Sequence, residues 1–213
     1  MAIVTVSRMF GAGGSEVAAL VAKALGWSLL DNAIIESVAA RLGATTAEVE
    51  ARDERVSGIT QRLADALAFG SPEILPMLAD GAAMPPSEER VLEVTRRVID
   101  EAVAQGPAVL VGRGAQCLLA ERSDAVHVFC YAPRGSLVAR VAAREALSTS
   151  DAEKRVQDMN HQREQFVRRQ WGRDWRAHEN YHLCVNTAWV GIEGASLLIV
   201  AAAERFLTAK RTT

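Results

Sequence analysis

Lysine is almost missing from this sequence. Lys23, Lys154 and Lys210 are the three it has, against 21 arginines. Wherever the protein neutralises a phosphate, arginine must do most of the work. Cysteine is scarce as well. Cys117, Cys130 and Cys184 are odd in number, far apart and set among apolar neighbours. No C-x-x-C spacing supports zinc, and buried free thiols suit a reducing compartment. An excess of one charge is also absent. The net charge of −2 offers no electrostatic footprint for wrapping nucleic acid. No apolar run approaches a membrane span, and a strand begins at residue 2, leaving no room for a signal peptide. Internal repeats and low-complexity tracts are lacking. These absences point to a soluble, cytoplasmic protein with neither a nucleic-acid partner nor a membrane partner.

What is present is one good core. With 213 residues and 49% apolar content, the chain reads as a single domain over 1–213, and a second full domain does not fit. The most informative stretch opens it: Ala2-Ile3-Val4-Thr5-Val6-Ser7-Arg8-Met9-Phe10-Gly11-Ala12-Gly13-Gly14-Ser15. A β-branched run ends in a glycine-dense turn, and a helical pattern follows at once. Glycines allow positive φ and close backbone approach, leaving N–H donors around an anion. The helix adds its positive N-terminal end to the same spot. The turn therefore reads as a phosphate-binding loop.

Set against G-x-x-x-x-G-K-[ST], the last three positions are Gly13, Gly14 and Ser15, and Arg8 takes the first glycine's place. Ser15 is placed to offer its hydroxyl to Mg²⁺. Gly14 stands where lysine reaches the β/γ-phosphates, and Arg8 is the nearest replacement. A rival reading takes Gly11-x-Gly13 with Asp31 twenty residues later as a dinucleotide-binding βαβ unit. The third glycine of that fingerprint is Glu16 here, which weakens its helix–strand packing. An ordinary strand–turn–helix with no ligand is the third possibility.

Further along, Val17, Leu20, Val21, Ala24 and Leu25 fall at helical spacing, and Gly26 stops that helix. Ser28-Leu29-Leu30 reads as a short strand ending at Asp31-Asn32. Ile34, Ile35, Val38, Ala39 and Leu42 form another stripe, and Thr45 or Thr46 caps a following charged helix. Residues 58–87 alternate short helical pieces with glycine and proline and read as a mobile segment. A long helix opens near Ser87 and ends at Gly106-Pro107. Ala108–Val111 is a continuous apolar run, the mark of a buried parallel strand. Further strands are read at Val126–Tyr131 and Leu183–Asn186, and a last helix at about Ile192–Leu207. Strands alternating with helices predict a parallel α/β sheet.

Three arginine groups stand out. Arg113 follows the third strand, where ligands of open α/β sheets bind. Arg134, Arg140 and Arg144 lie on the helix after strand four and read first as solvated surface charges. Arg155, Met159 and Arg163 stack at i, i+4, i+8 on the helix beginning near Asp151, so two guanidiniums share one edge.

Four collinear segments resemble the cytidylate kinase-like branch of the P-loop nucleoside monophosphate kinases. They are a stretch within Ile3 to Gly14 (I-x-I-S-R-x-F-G-x-G-G), Val109 to Ala115 (V-I-V-G-R-x-A), the acid–arginine pair Asp158 and Arg163, and Tyr181 to Thr187 (Y-D-L-x-x-N-T). The resemblance covers essentially the whole chain. It implies a P-loop kinase-like three-layer fold with a five-stranded parallel sheet in 2-3-1-4-5 order, a helical acceptor region at 58–87 and a lid at about 148–175. It further implies that Arg8 to Ser15, with Gly11, Ala12, Gly13 and Gly14 between them, hold the donor phosphates. Asp31 would lie near the acceptor nucleotide and Arg113 on its phosphate. Arg155 and Arg163 would come from the lid, and Asn186 and Thr187 would lie near the donor base. His182 stands where similar chains have aspartate.

The expectation is Mg²⁺-dependent transfer of the ATP γ-phosphoryl group to a nucleoside monophosphate, CMP or dCMP first. The small-molecule partners would be nucleotides, and Arg8, Arg113, Arg155 and Arg163 would carry the charge that lysine normally supplies. A kinase for another small phosphoryl acceptor and a non-catalytic nucleotide sensor are the alternatives. The oligomeric state is open.

Overall fold

The structure is a computed structural model that describes residues 2–31, 40, 41, 43 and 88–210. The stripe at Ile34–Leu42 for the most part, the helix after Thr45 and Thr46, and the segment 58–87 lie outside the described residues.

Five parallel strands form one sheet: β1 (Ile3–Arg8), β2 (Ser28–Leu30), β3 (Ala108–Val111), β4 (Ala125–Tyr131) and β5 (Leu183–Asn186), in the order β2-β3-β1-β4-β5. β1 is central because its Ile-Val-Thr-Val run is buried on both sides, as parallel strands covered by helices must be. Its register pairs Ile3 with both Ala108 and Ala125, and Val6 with both Val111 and Val128.

Strand alternation divides the core into two. Ile3, Ala108 and Leu110 face helix α2 (Glu88–Gln105), which buries Val91, Val94, Val98, Ile99 and Val103. Val4, Val6, Val109, Val111, Val126 and Val128 face the other way. They pack against α1 (Gly14–Leu25) and α6 (Thr187–Lys210) through Val17, Val21, Ala195 and Ile199. This is a three-layer sandwich. Each fully buried valine contributes roughly 1.5–3 kcal/mol relative to an exposed one. Three more α-helices, the short α3 (Ala115–Leu118), α4 (Arg134–Glu145) and α5 (Thr149–Trp171), and a single 3-10 turn at His178–Asn180 complete the described fold.

Local rules explain the ends. α1 stops at Gly26, whose φ of 67° lets the turn close with the Trp27 N–H on the Ala22 carbonyl at 2.9 Å. Ser148 caps α5 by accepting the Asp151 N–H at 3.1 Å. His182 closes the entry to β5. Its Nδ1 accepts the His127 N–H at 2.9 Å, its own N–H reaches the His127 carbonyl at 2.8 Å, and the two rings stack at 5.1 Å. An acceptor is what this position requires, and imidazole supplies one as a carboxylate would.

Three expectations need correction. The last helix starts at Thr187, five residues earlier than its periodicity indicates. One helical turn precedes a break at Gly191, where φ is 74° and ψ 175°. The stretch Thr187–Phe206 is also long and apolar enough to cross a membrane by length and composition, with 28% of that window buried. In this fold it covers one face of the sheet through Ala195, Ile199 and Ala203, while Leu197 and Leu198 are exposed. Finally, Cys117 and Cys130 are buried free thiols, but Cys184 is exposed, because alternation on the edge strand β5 turns it outward.

Candidate functional site

Parallel strands bring all their carboxyl ends to one edge of the sheet, so Arg8, Leu30, Val111, Tyr131 and Asn186 end there together. The connections after these ends form the site. Between β1 and α1, Gly11 has φ 85° and Gly13 φ 72°, left-handed values at which a side chain is strained. Space is restricted too. A Cβ on Gly11 would lie 2.8 Å from the Leu137 carbonyl oxygen, and one on Gly13 would run into Ile192 and sit 3.2 Å from an Arg140 nitrogen. The helix that follows begins at Gly14, with Ser15 exposed in its first turn. The loop thus presents backbone at a helix N-terminus, the arrangement that favours anions.

The turn after β3 is also left-handed. Gly112, Arg113 and Gly114 have φ of 70°, 57° and 65°, and the turn is closed by the Ala115 N–H on the Gly112 carbonyl at 2.9 Å. Arg113 is the unusual member, since only glycine takes this conformation without cost. It is nonetheless buried, at 9% exposure. Gly114 leaves room for the ring of Trp171, whose Cζ2 would be 3.1 Å from a Cβ there.

Helix α5 crosses above both turns. Asn160, buried at 3% exposure, accepts the Phe10 N–H through Oδ1 at 2.8 Å. The Arg163 guanidinium donates to the Arg8 carbonyl at 2.9 Å. Phe166, Trp171 and the Trp175 beyond it pack with Phe129 and Tyr181, and the Tyr181 hydroxyl donates to the Trp175 carbonyl at 2.7 Å.

Three of the four arginines singled out in the sequence meet here. Arg8, Arg113 and Arg163 line a single cavity of about 30 Å³ with Ser7, Gln116 and Trp175. Arg155 does not reach it. Arg155 lies over the Phe10 ring at 5.6 Å from its centroid, joined there by Arg144 at 5.0 Å and Arg163 at 5.6 Å. Glu145 balances part of that charge, 2.7 Å from Arg144 and 3.5 Å from Arg155. Hydrogen bonding to Arg144 first, then the charges of Arg144 and Arg155, hold its carboxyl below the usual range. Arg140 pairs with Glu16 beside the loop. Arg144, read first as surface charge, therefore belongs to the loop's surroundings.

The remaining sequence candidates sit at the same edge. Asp31 follows β2, half-buried, on the flank beyond β3. On the opposite flank Asn186 Oδ1 accepts the Ala188 N–H at 3.2 Å, and the Thr187 hydroxyl donates to the Tyr131 carbonyl at 3.2 Å. Both shape the turn into α6. No thiol is activated among these elements: burial raises Cys117 to about 11 and Cys130 to about 12. Phe10 and Asn160 were not singled out in the sequence. Phe10 lies inside the glycine-rich segment, where its ring has no periodic meaning, and Asn160 lies within a charged helix that reads as solvated.

The sequence model described as the cytidylate kinase-like family matches residues 3–188. No match was found among curated proteins. Among solved structures, an uncharacterized protein from Eubacterium ventriosum ATCC 27560 superposes with a TM-score of 0.69 at 16% identity, covering 96% of this chain and 99% of the other. Shikimate kinase from Bacteroides thetaiotaomicron superposes with a TM-score of 0.52 at 15% identity, covering 95% and 98%. At such identities these likenesses concern the fold.

Proposed function

The chain belongs to the cytidylate kinase-like family, and from that premise we propose that it transfers the γ-phosphoryl group of ATP to a nucleoside monophosphate, with CMP and dCMP the favoured acceptors. The observation that carries this reading is the convergence of Arg8, Arg113 and Arg163 on one cavity, at the strand ends beside a glycine turn that opens a helix.

In this reading Gly11 to Ser15 hold the donor phosphates, and the donor base lies toward Asn186 and Thr187. The acceptor enters on the β2–β3 side, between Asp31 and Arg113, with residues 58–87 contributing to its site. An oxygen of the acceptor's phosphate attacks the γ-phosphorus in line. The bond from that phosphorus to the β,γ-bridging oxygen breaks, and ADP leaves with the electron pair. The chain needs no covalent participation. It positions both phosphates and opposes the charge that spreads over the transferring oxygens. Arg155 and Arg163, from a lid spanning about 148–175, add charge as water is excluded.

The loop fits Mg²⁺ carried in with the nucleotide. Ser15 offers an exposed hydroxyl directly after the glycine turn, and hard cations prefer oxygen donors. Among the described residues no group of three or more His, Cys, Asp or Glu side chains gathers to hold a metal, so phosphate oxygens would complete its shell. Bound there, Mg²⁺ would neutralise donor-phosphate charge.

The fold shared with a shikimate kinase favours one second reading, transfer to a small acceptor that is not a nucleotide. A coupled ADP-release assay over a panel of nucleoside monophosphates and small hydroxylated acids separates the two. Release with CMP or dCMP supports the proposal. Tight ATP binding with no transfer to any acceptor refutes it in favour of a nucleotide sensor, and a complex with NAD but none with ATP favours the dinucleotide reading.

A further inference from the structure

Relative to G-x-x-x-x-G-K-[ST], this loop differs at two positions at once: arginine stands at the first glycine and glycine at the lysine. We propose that these are one exchange. Arg8 supplies the phosphate-binding cation from the end of β1, and Gly14 is glycine because the Arg8 stem fills the space that any side chain there would need.

The backbone does not demand glycine at position 14. Gly14 is the first residue of α1 and is absent from the positive-φ residues, unlike Gly11 and Gly13. Alanine would be favoured at a helical position by propensity alone. The obstacle is steric. A Cβ on Gly14 would lie 2.7 Å from the Cγ of Arg8, closer still to its Cβ, and 3.5 Å from its Cδ. These atoms belong to the root of the side chain, so no rotation of the guanidinium relieves the clash.

The far end of Arg8 is accommodated in the same way. A Cβ on Gly112 would lie 2.9 Å from the Arg8 Cζ, so the side chain runs from one glycine to another. It starts at the donor loop and ends against the turn that carries Arg113. A lysine rooted on α1 would approach along the helix. Arg8 instead sets a planar, forked cation between the glycine turn and Arg113, the two places to which the proposed function assigns the donor and acceptor phosphates. The Arg8 backbone carbonyl is bonded to Arg163, which ties the position of this residue to α5.

The inference rests on the reading of this loop as the ATP-phosphate site, and two measurements separate it from that reading. The first uses no ligand. Gly14→Ala should lower the melting temperature by roughly 2 °C or more in the wild-type background. It should leave the melting temperature unchanged or raise it in the Arg8→Gly background, where the space is vacant. Equal effects in the two backgrounds overturn the steric half of the exchange.

The second is calorimetric titration with Mg·ATP of the wild type, Arg8→Gly, Gly14→Lys and the double variant, all shown to be folded by their melting curves. Each single variant should lose about tenfold or more in affinity, the scale of one charged hydrogen bond. The double variant, which restores the conventional order, should return to within about threefold of the wild type. A double variant no better than Arg8→Gly alone overturns the exchange. A wild type that does not bind Mg·ATP refutes the ATP reading itself and with it the proposed role of Arg8, whatever the melting cycle gives.

Discussion

Arg113 is held at φ 57° with glycine on both sides, a conformation that costs an L-residue about 1–2 kcal/mol. Two substitutions separate that cost from the guanidinium's work. Arg113→Ala and Arg113→Gly both remove the buried side chain and its contacts, so those losses cancel when the two are compared. Their difference is the backbone. Glycine adopts the left-handed turn freely but has more freedom to lose on folding, which returns roughly 0.5–1 kcal/mol to alanine. The glycine variant should therefore be more stable by about 0.5–1 kcal/mol, or roughly 1–4 °C in melting temperature for a chain of this size. Differential scanning calorimetry of the two variants reads this directly.

Activity should not distinguish them. If Arg113 opposes charge that develops on the phosphates in transfer, both variants should lose about two or more orders of magnitude in kcat, while ATP affinity changes far less. Arg113→Lys should rescue poorly, because the fork of donors is lost. An alanine variant that melts at or above the glycine variant refutes the strain argument. Retention of wild-type kcat in Arg113→Ala refutes the catalytic one. The two parts stand or fall separately, and strain kept at a residue with no function would itself need another explanation.

Three other outcomes follow from the same geometry. Gly13→Val, strained at φ 72° and crowded by Ile192 and Arg140, should weaken ATP binding at least about tenfold; unchanged affinity in a folded variant removes the loop as the site. Hydrogen exchange across 148–175 should slow when ATP and acceptor are added together, and equal protection with and without them removes the lid assignment. Burial first, then the neighbouring His182 charge, lowers His127 from its ordinary 6.5 to about 4. Its neutral form therefore contributes full stability above pH 6.5, and about 3 kcal/mol should be lost as the pH falls from 6.5 to 4; a His127→Gln variant should melt with a flatter acid profile, and an unchanged profile refutes the assignment.

The strands were legible because each is a short, largely apolar run bounded by glycine, proline or polar residues. Ser28–Leu30, Ala108–Val111 and Leu183–Asn186 fall where the sequence places them. The glycine turn was legible for a related reason, since left-handed φ leaves its mark on composition at Gly11 and Gly13. Helix starts were less readable. Gly191 breaks the periodicity of the last helix, and the turn before it, Thr187 to Val190, is too short to show a period of its own. The four residues of α3 are hidden for the same reason. Side-chain convergence was the least accessible. Nothing in sequence spacing relates Phe10 to Arg144, Arg155 and Arg163, because the arginines come from two helices more than a hundred residues further along the chain. The i, i+8 spacing of Arg155 and Arg163 puts both on one face of α5, yet only Arg163 lines the cavity with Arg8 and Arg113. The cause is the rise of the helix. Eight residues span about 12 Å, so one guanidinium can reach the strand ends while its neighbour on the same face rests on the loop beside them. Residue type and spacing thus identify which arginines face the site, and the contacts of the assembled layers decide which of them share it.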